Sequence, residues 1–232
     1  MRRRDFLFGA LFSRHPVPLR APDVTLPLKS GSVRFAAFGD MGTGERPQYE
    51  VARRMLEFHQ KFAFNFVILL GDNIYGSKSP AELQKKFEMP YKPLLDAGVQ
   101  FYAALGNHDD TNERFYKFFN MNGQQYYSYK KGNVHFFVID SNYFDPKQLA
   151  WLEKELSNAG SDWKICYFHH PLYSSGSFHG SSTELRAVLE PLLVKNGVQV
   201  GVRYDVGLQN QPEAYSIKDR LPQVLGFEVF NR

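Results

Sequence analysis

The chain has 232 residues, enough for one large domain and too few for two ordinary domains plus a linker. Its 43% hydrophobic and 22% charged residues are the composition of a globular chain and exclude a disordered one. The net charge of +4 sits in residues 1–20, where five arginines face one aspartate; the remainder carries 23 basic and 23 acidic residues, which excludes a basic nucleic-acid face. The single cysteine, Cys166, excludes an internal disulfide, a cysteine-cluster zinc site and a CxxC redox motif. No apolar run reaches the ~18 residues of a stable membrane span.

In chain order, Arg2-Arg3-Arg4-Asp5-Phe6-Leu7 precedes a mostly apolar stretch to Ser13. This resembles a twin-arginine export signal, and the expectation is a periplasmic or secreted protein. The alternative is a basic leader without an address on a cytoplasmic protein. Pro16, Pro18, Pro22 and Pro27 mark linker, so residues 1–31 read as signal and linker, and the fold begins near Val33. Three short apolar runs come next, at 33–38, 66–70 and 101–105. They end at Gly39-Asp40, Gly71-Asp72 and Gly106-Asn107. Runs this short and this rich in aromatic and β-branched residues predict buried strands.

Helical patterns lie between the strands. Tyr49 to Phe62 places Val51, Met55 and Phe58 on one face; shorter helices are predicted at 81–88 and 90–97. Residues 126–139 read as a hairpin around Lys130-Lys131-Gly132-Asn133. Asp145-Pro146-Lys147-Gln148 predicts a helix start with Asp145 as cap, Pro146 at the first position and Gln148 closing a capping box. Trp163 to Phe168 reads as a strand ending at His169-His170-Pro171. Ser181 to Glu184 reads as a second capping box, and Val198 to Val202 as a last strand. Strand–helix alternation predicts right-handed crossovers and sheets with parallel cores. Residues 204–232 carry no recognisable element.

Asp40, Asp72, Asn107-His108-Asp109 and His169-His170 thus lie just past the C-terminal ends of predicted strands, the edge where α/β sheets bind ligands. Carboxylates, an amide oxygen and imidazoles converging there make a ligand set for a hard-to-borderline cation. Two aspartates close together repel unless a cation sits between them. His135 and Cys166 lie within apolar strands and read as structural. Tyr126, Tyr127 and Tyr129 read as hairpin packing.

Gly39-Asp40-Met41-Gly42, Gly71-Asp72-Asn73-Ile74-Tyr75, Gly106-Asn107-His108-Asp109 and His169-His170-Pro171 resemble successive blocks of the calcineurin-like metallophosphoesterases. Tyr75, three residues after Asp72, and Gly42 are similar to the purple acid phosphatase branch, which includes the tartrate-resistant acid phosphatases. The resemblance implies an α/β (α+β) fold, a four-layer αββα sandwich of mixed sheets over residues 32–202. It implies two metal ions, iron with a second iron, zinc or manganese. Asp72 would bridge them, Asp40 and Tyr75 would bind the first, and Asn107 and His169 the second. His108 would face the substrate and His179 would line the pocket. Asp109, a carboxylate beside an imidazole, reads as orienting His108 or pairing locally. The implied reaction is hydrolysis of a small phosphorylated substrate, a phosphoric monoester; the alternatives are binding without turnover and phosphodiester hydrolysis. Neutral domain charge argues against a polymeric diester.

The family's last metal block, Gly-His-x-His, has no counterpart. Arg203-Tyr204-Asp205-Val206-Gly207 comes after the last predicted strand, and no histidine occurs after His179. Residues 203–232 therefore read as a truncated or diverged C-terminal segment, and each metal is expected to lack one ligand. Losing direct ligands weakens both metal affinity and water activation.

Overall fold

The computed structural model describes residues 30–174, 180–203 and 225–229. The twin-arginine-like leader, His179 and Asp205 lie outside the described residues. Strands β1 (Val33–Phe38), β2 (Phe66–Leu70) and β3 (Gln100–Ala104) pair in parallel in the order β3-β2-β1. All five residues of β2 are buried, which suits a central strand covered on both faces. Helix α1 (Arg46–Phe62) makes the first crossover. Helices α2 (Pro80–Leu83) and α3 (Met89–Asp96), joined by one π-helical turn at Gln84–Glu88, make the second. The buried face of α1 is Gln48, Ala52, Met55 and Phe62. Phe58 is exposed, so the face predicted from Val51, Met55 and Phe58 is corrected. The helix turns its Gln48 face inward because Gln48 hydrogen-bonds Lys86 and Gly44.

The second sheet runs β4 (Tyr127–Lys131), β5 (Val134–Val138), β6 (Trp163–Phe168) and β7 (Val200–Arg203). The β4–β5 hairpin is antiparallel and the other two pairings are parallel. Helices α4 (Pro146–Asn158) and α5 (Thr183–Lys195) cover its outer face, where Leu152, Leu156, Leu185 and Leu189 pack on Phe137, Ile139 and Phe168. Its inner face meets the first sheet through aromatic rings. Phe35 and Phe66 meet Phe136 edge-on at 5.3 and 5.4 Å, and Tyr102 stacks on Tyr129 at 4.2 Å. With α1 and α3 on the far side of the first sheet, the layers are helix, sheet, sheet and helix, as the resemblance implies.

Three local expectations are corrected. Gln148 does not close a capping box: Asp145 accepts its backbone N–H, but its buried side chain bonds the N–H and C=O of Asp140 and the C=O of Tyr143. Ser181 does not cap α5, because its hydroxyl receives the Ser174 N–H at 2.9 Å. Within the segment that shows no element in the sequence, Leu225–Val229 forms β8, antiparallel to β1.

Candidate metal centre

Strands β1, β2 and β3 end side by side, with Phe38 opposite Leu69 and Leu70 opposite Ala104. Asp40 and Asp72 lie just past the first two ends in left-handed conformation, each with φ of 52°. Aspartate tolerates that region better than most residues because its short side chain bonds locally. The two turns are tied together: Asp40 N–H donates to Gly71 O at 3.0 Å and Met41 N–H to Asp72 O at 3.2 Å. The neighbouring glycines are required by space. A Cβ on Gly106 would lie 2.2 Å from Asp72 N and Oδ1, and one on Gly71 would lie 2.7 Å from His169 Nδ1.

The two oxygens of buried Asp72 face different donor sets. On one side, the Tyr75 hydroxyl reaches Asp72 Oδ2 at 3.0 Å and Asp40 Oδ1 at 2.8 Å. On the other, Asp72 Oδ1 accepts the His108 N–H at 3.0 Å and lies 3.6 Å from His169 Nε2. His169 Nε2 is in turn 3.0 Å from Asn107 Oδ1. His169 Nδ1 is 3.0 Å from the Leu70 carbonyl. A carbonyl only accepts, so Nδ1 is the donor to Leu70, and Nε2 faces two acceptor oxygens, Asn107 Oδ1 and Asp72 Oδ1. Asp40, Asp72 and His169 each offer one ligand atom, all within 4.8 Å of one another.

The electrostatics ask for positive charge. Burial above all, with the nearby Asp72, pushes the Asp40 carboxyl up to about 8 against the opposing pull of the Tyr75 hydrogen bond. Burial, then Asp40 and Asp72, hold the Tyr75 phenol far above its ordinary value. Asp40 Oδ2 is buried without a hydrogen-bond partner among the described residues. Two carboxylates, a phenol, an amide oxygen and an imidazole nitrogen fit cations: a cation would use the orphaned oxygen and remove the carboxylate repulsion.

All five residues proposed as ligands from the sequence, Asp40, Asp72, Tyr75, Asn107 and His169, therefore meet at one edge. His108 joins them from the solvent side. Its exposed ring lies 5.2 Å from that of Tyr75, and the imidazole makes no hydrogen bond within the described residues. Of the two readings of Asp109, orienting His108 is corrected and pairing with nearby groups holds. Its carboxylate does not touch His108; it accepts the N–H groups of Asn73, Ile74 and Gly106 and the Asn73 amide at 2.7 to 3.1 Å. Asp109 thus binds the second loop to the third. His170 stands back from the cluster, its Nδ1 3.0 Å from Ser141 Oγ. Sequence reasoning missed Asn73, Lys78 and Lys86, which bond the site loops through backbone groups and so leave no side-chain pattern.

The profile of the calcineurin-like phosphoesterases matches residues 33–203. The chain is 29% identical over 211 residues to purple acid phosphatase 17 of Arabidopsis thaliana, covering 75% of this chain and 62% of that protein. It is 27% identical over 217 residues to tartrate-resistant acid phosphatase type 5 of Oryctolagus cuniculus, covering 72% and 64%. The chain thus spans less than two thirds of these relatives. Among solved structures, purple acid phosphatase PPD1 from yellow lupin seeds superimposes with a TM-score of 0.57 at 20% identity, covering 77% of this chain and 38% of that one. GAP50, the anchor in the inner membrane complex of Plasmodium, superimposes with a TM-score of 0.63 at 23% identity, covering 74% and 65%. Both share the fold.

Proposed function

Because the chain belongs to the calcineurin-like phosphoesterase family, on its purple acid phosphatase branch, we propose that it is a metal-dependent phosphoric monoester hydrolase working on a small substrate. The observation that carries this reading is the division of the Asp72 carboxylate between two donor sets. Asp40, Tyr75 and Asp72 Oδ2 would hold one cation, iron by the chemistry of a phenolate ligand. Asp72 Oδ1, Asn107 and His169 would hold a second iron, zinc or manganese. Such ions would supply a polarised phosphoryl group and an acidified water.

The protein's own groups do the rest. The Leu70 carbonyl holds His169 Nδ1, which fixes the ring with Nε2 toward Asp72 and Asn107. Asp109 holds the second and third loops in register. His108, exposed at the rim, offers a proton to the leaving oxygen or a hydrogen bond to the phosphoryl group. Its backbone N–H stays on Asp72 Oδ1, which fixes where the ring can stand.

The test is hydrolysis of an aryl phosphate after loading with iron and zinc or manganese, with the optical spectrum and metal content read on the same sample. Turnover with a visible Tyr75-to-iron band supports the reading; no retained metal and no turnover ends it. Asp72→Asn should lose metal retention and at least 100-fold in kcat/KM. The absence of any histidine after His179 favours one second reading, cation or phosphate binding without turnover. Calorimetric binding with no hydrolysis would select it.

A further inference from the structure

Two lysines bind the loops of the candidate centre: Lys86 is buried and Lys78 half-buried, with side chains 11% and 19% exposed. Burying an ammonium is costly unless its protons are used. Lys78 donates to the carbonyl of Ile74 and, at 2.9 Å, to that of His108, and pairs with buried Glu113 at 3.3 Å. Lys86 donates to the carbonyl of Tyr75 at 2.7 Å and pairs with Glu82 at 2.7 Å. The two ammoniums therefore grip successive carbonyls, Ile74 and Tyr75, and one of them reaches across to the loop of His108.

The fold makes room for this. A Cβ on Gly44 would lie 3.0 Å from the Lys86 stem. Gly44 has φ of 73°, a conformation other residues rarely adopt. The π-helical turn at Gln84–Glu88, closed by the Met89 N–H on the Gln84 carbonyl, adds one residue to the helix. One added residue turns the rest of the helix by roughly 100° relative to an uninterrupted one. Gln48 takes up the Lys86 carbonyl. A left-handed glycine, an inserted residue and a buried glutamine all serve one lysine whose head ends on the Tyr75 backbone.

We propose that Lys78 and Lys86 are positioning residues that jointly set the placement of Tyr75 and His108 at the centre. This deepens the proposed function and rests on that reading for its catalytic consequence. The experiment reads two quantities. In metal-free protein, hydrogen exchange at the Asn73–Tyr75 and His108 amides reports the clamp whether or not the protein hydrolyses anything. In the same protein, Mn2+ affinity by calorimetry reports the cradle. Lys78→Met and Lys86→Met should speed exchange at those amides about tenfold more than at the amides of β5, and weaken Mn2+ binding about tenfold. Lys78→Arg, which keeps the charge and the donors, should recover most of both. Glu82→Gln loosens the Lys86 grip without removing the ammonium, and should show a smaller shift in the same direction if either methionine variant fails to fold. Exchange and affinity unchanged within twofold, or lost only in proportion to global stability, would overturn the proposal. Wild-type protein that binds no Mn2+ but shows the exchange pattern would sink the metal-dependent function and leave the clamp standing.

Discussion

At the residue scale, the site depends on atoms that are not there. Gly106 has Asp72 N and Oδ1 at 2.2 Å from where a Cβ would stand, and part of that obstacle is backbone. No rotamer change relieves it, so Gly106→Ala must push the third loop off the second and break the Gly106 N–H bond to Asp109. The expected cost is about 2 kcal/mol or more, read as a lower urea midpoint, with loss of cation binding. Unchanged stability would mean the two loops are not in this contact. Gly42 is held to the same rule by the Asn73 carbonyl at 2.0 Å. The glycine–polar blocks were legible in the sequence because each is a local feature of a strand end. The tie from Asp109 to the second loop was not, because Asn73 and Ile74 lie 36 and 35 residues away and bond largely through backbone N–H.

At the element scale, the strands and long helices were readable from short apolar runs and helical spacing, while the exceptions were set by tertiary contacts. Gln148 has the spacing of a capping-box residue, but its amide is claimed by Asp140 across the end of β5. The strand β8 is five residues long and among the described residues pairs only with β1, so its identity comes from a neighbour nearly 200 residues away in sequence. The π-helical turn has no sequence mark. The caps at α4 give a clean test of which local signals matter. Asp145 accepts the Gln148 N–H at 2.7 Å, so Asp145→Ala should destabilise by about 1 kcal/mol. Gln148→Ala should cost more, because it strands both the N–H and the C=O of buried Asp140. Equal losses in thermal denaturation would mean that the strand-end contacts add nothing to the cap.

At the scale of the whole molecule, the candidate centre gathers carboxyl groups that burial makes reluctant to ionise. Asp40 is pushed up to about 8, Asp109 is raised by burial and then by Glu113, and Glu113 itself is pushed up to about 7, again by burial first. Each folded value lies above the unfolded one. The stability such a group contributes is complete below the unfolded carboxyl range and is lost as pH rises through the folded value. Metal-free protein should therefore become less stable between pH 5 and pH 8.5. His135 runs the other way, since burial lowers its pKa and costs stability as the pH falls. The difference between two proteins separates Glu113, with its effect on Asp109, from this sum. Glu113 is suited to it because its carboxyl lies away from the proposed ligands, accepting the Asp110 N–H at 3.0 Å and facing Lys78, with Oε2 otherwise unpartnered. Glu113→Gln keeps an acceptor for Asp110 but cannot ionise. It should flatten the alkaline loss by up to about 3 kcal/mol, measured as urea midpoints of both proteins across that range. At pH 5, where the wild-type carboxyl is already neutral, the two should differ little. Parallel curves would show that Glu113 stays ionised in the fold, with Lys78 outweighing its burial.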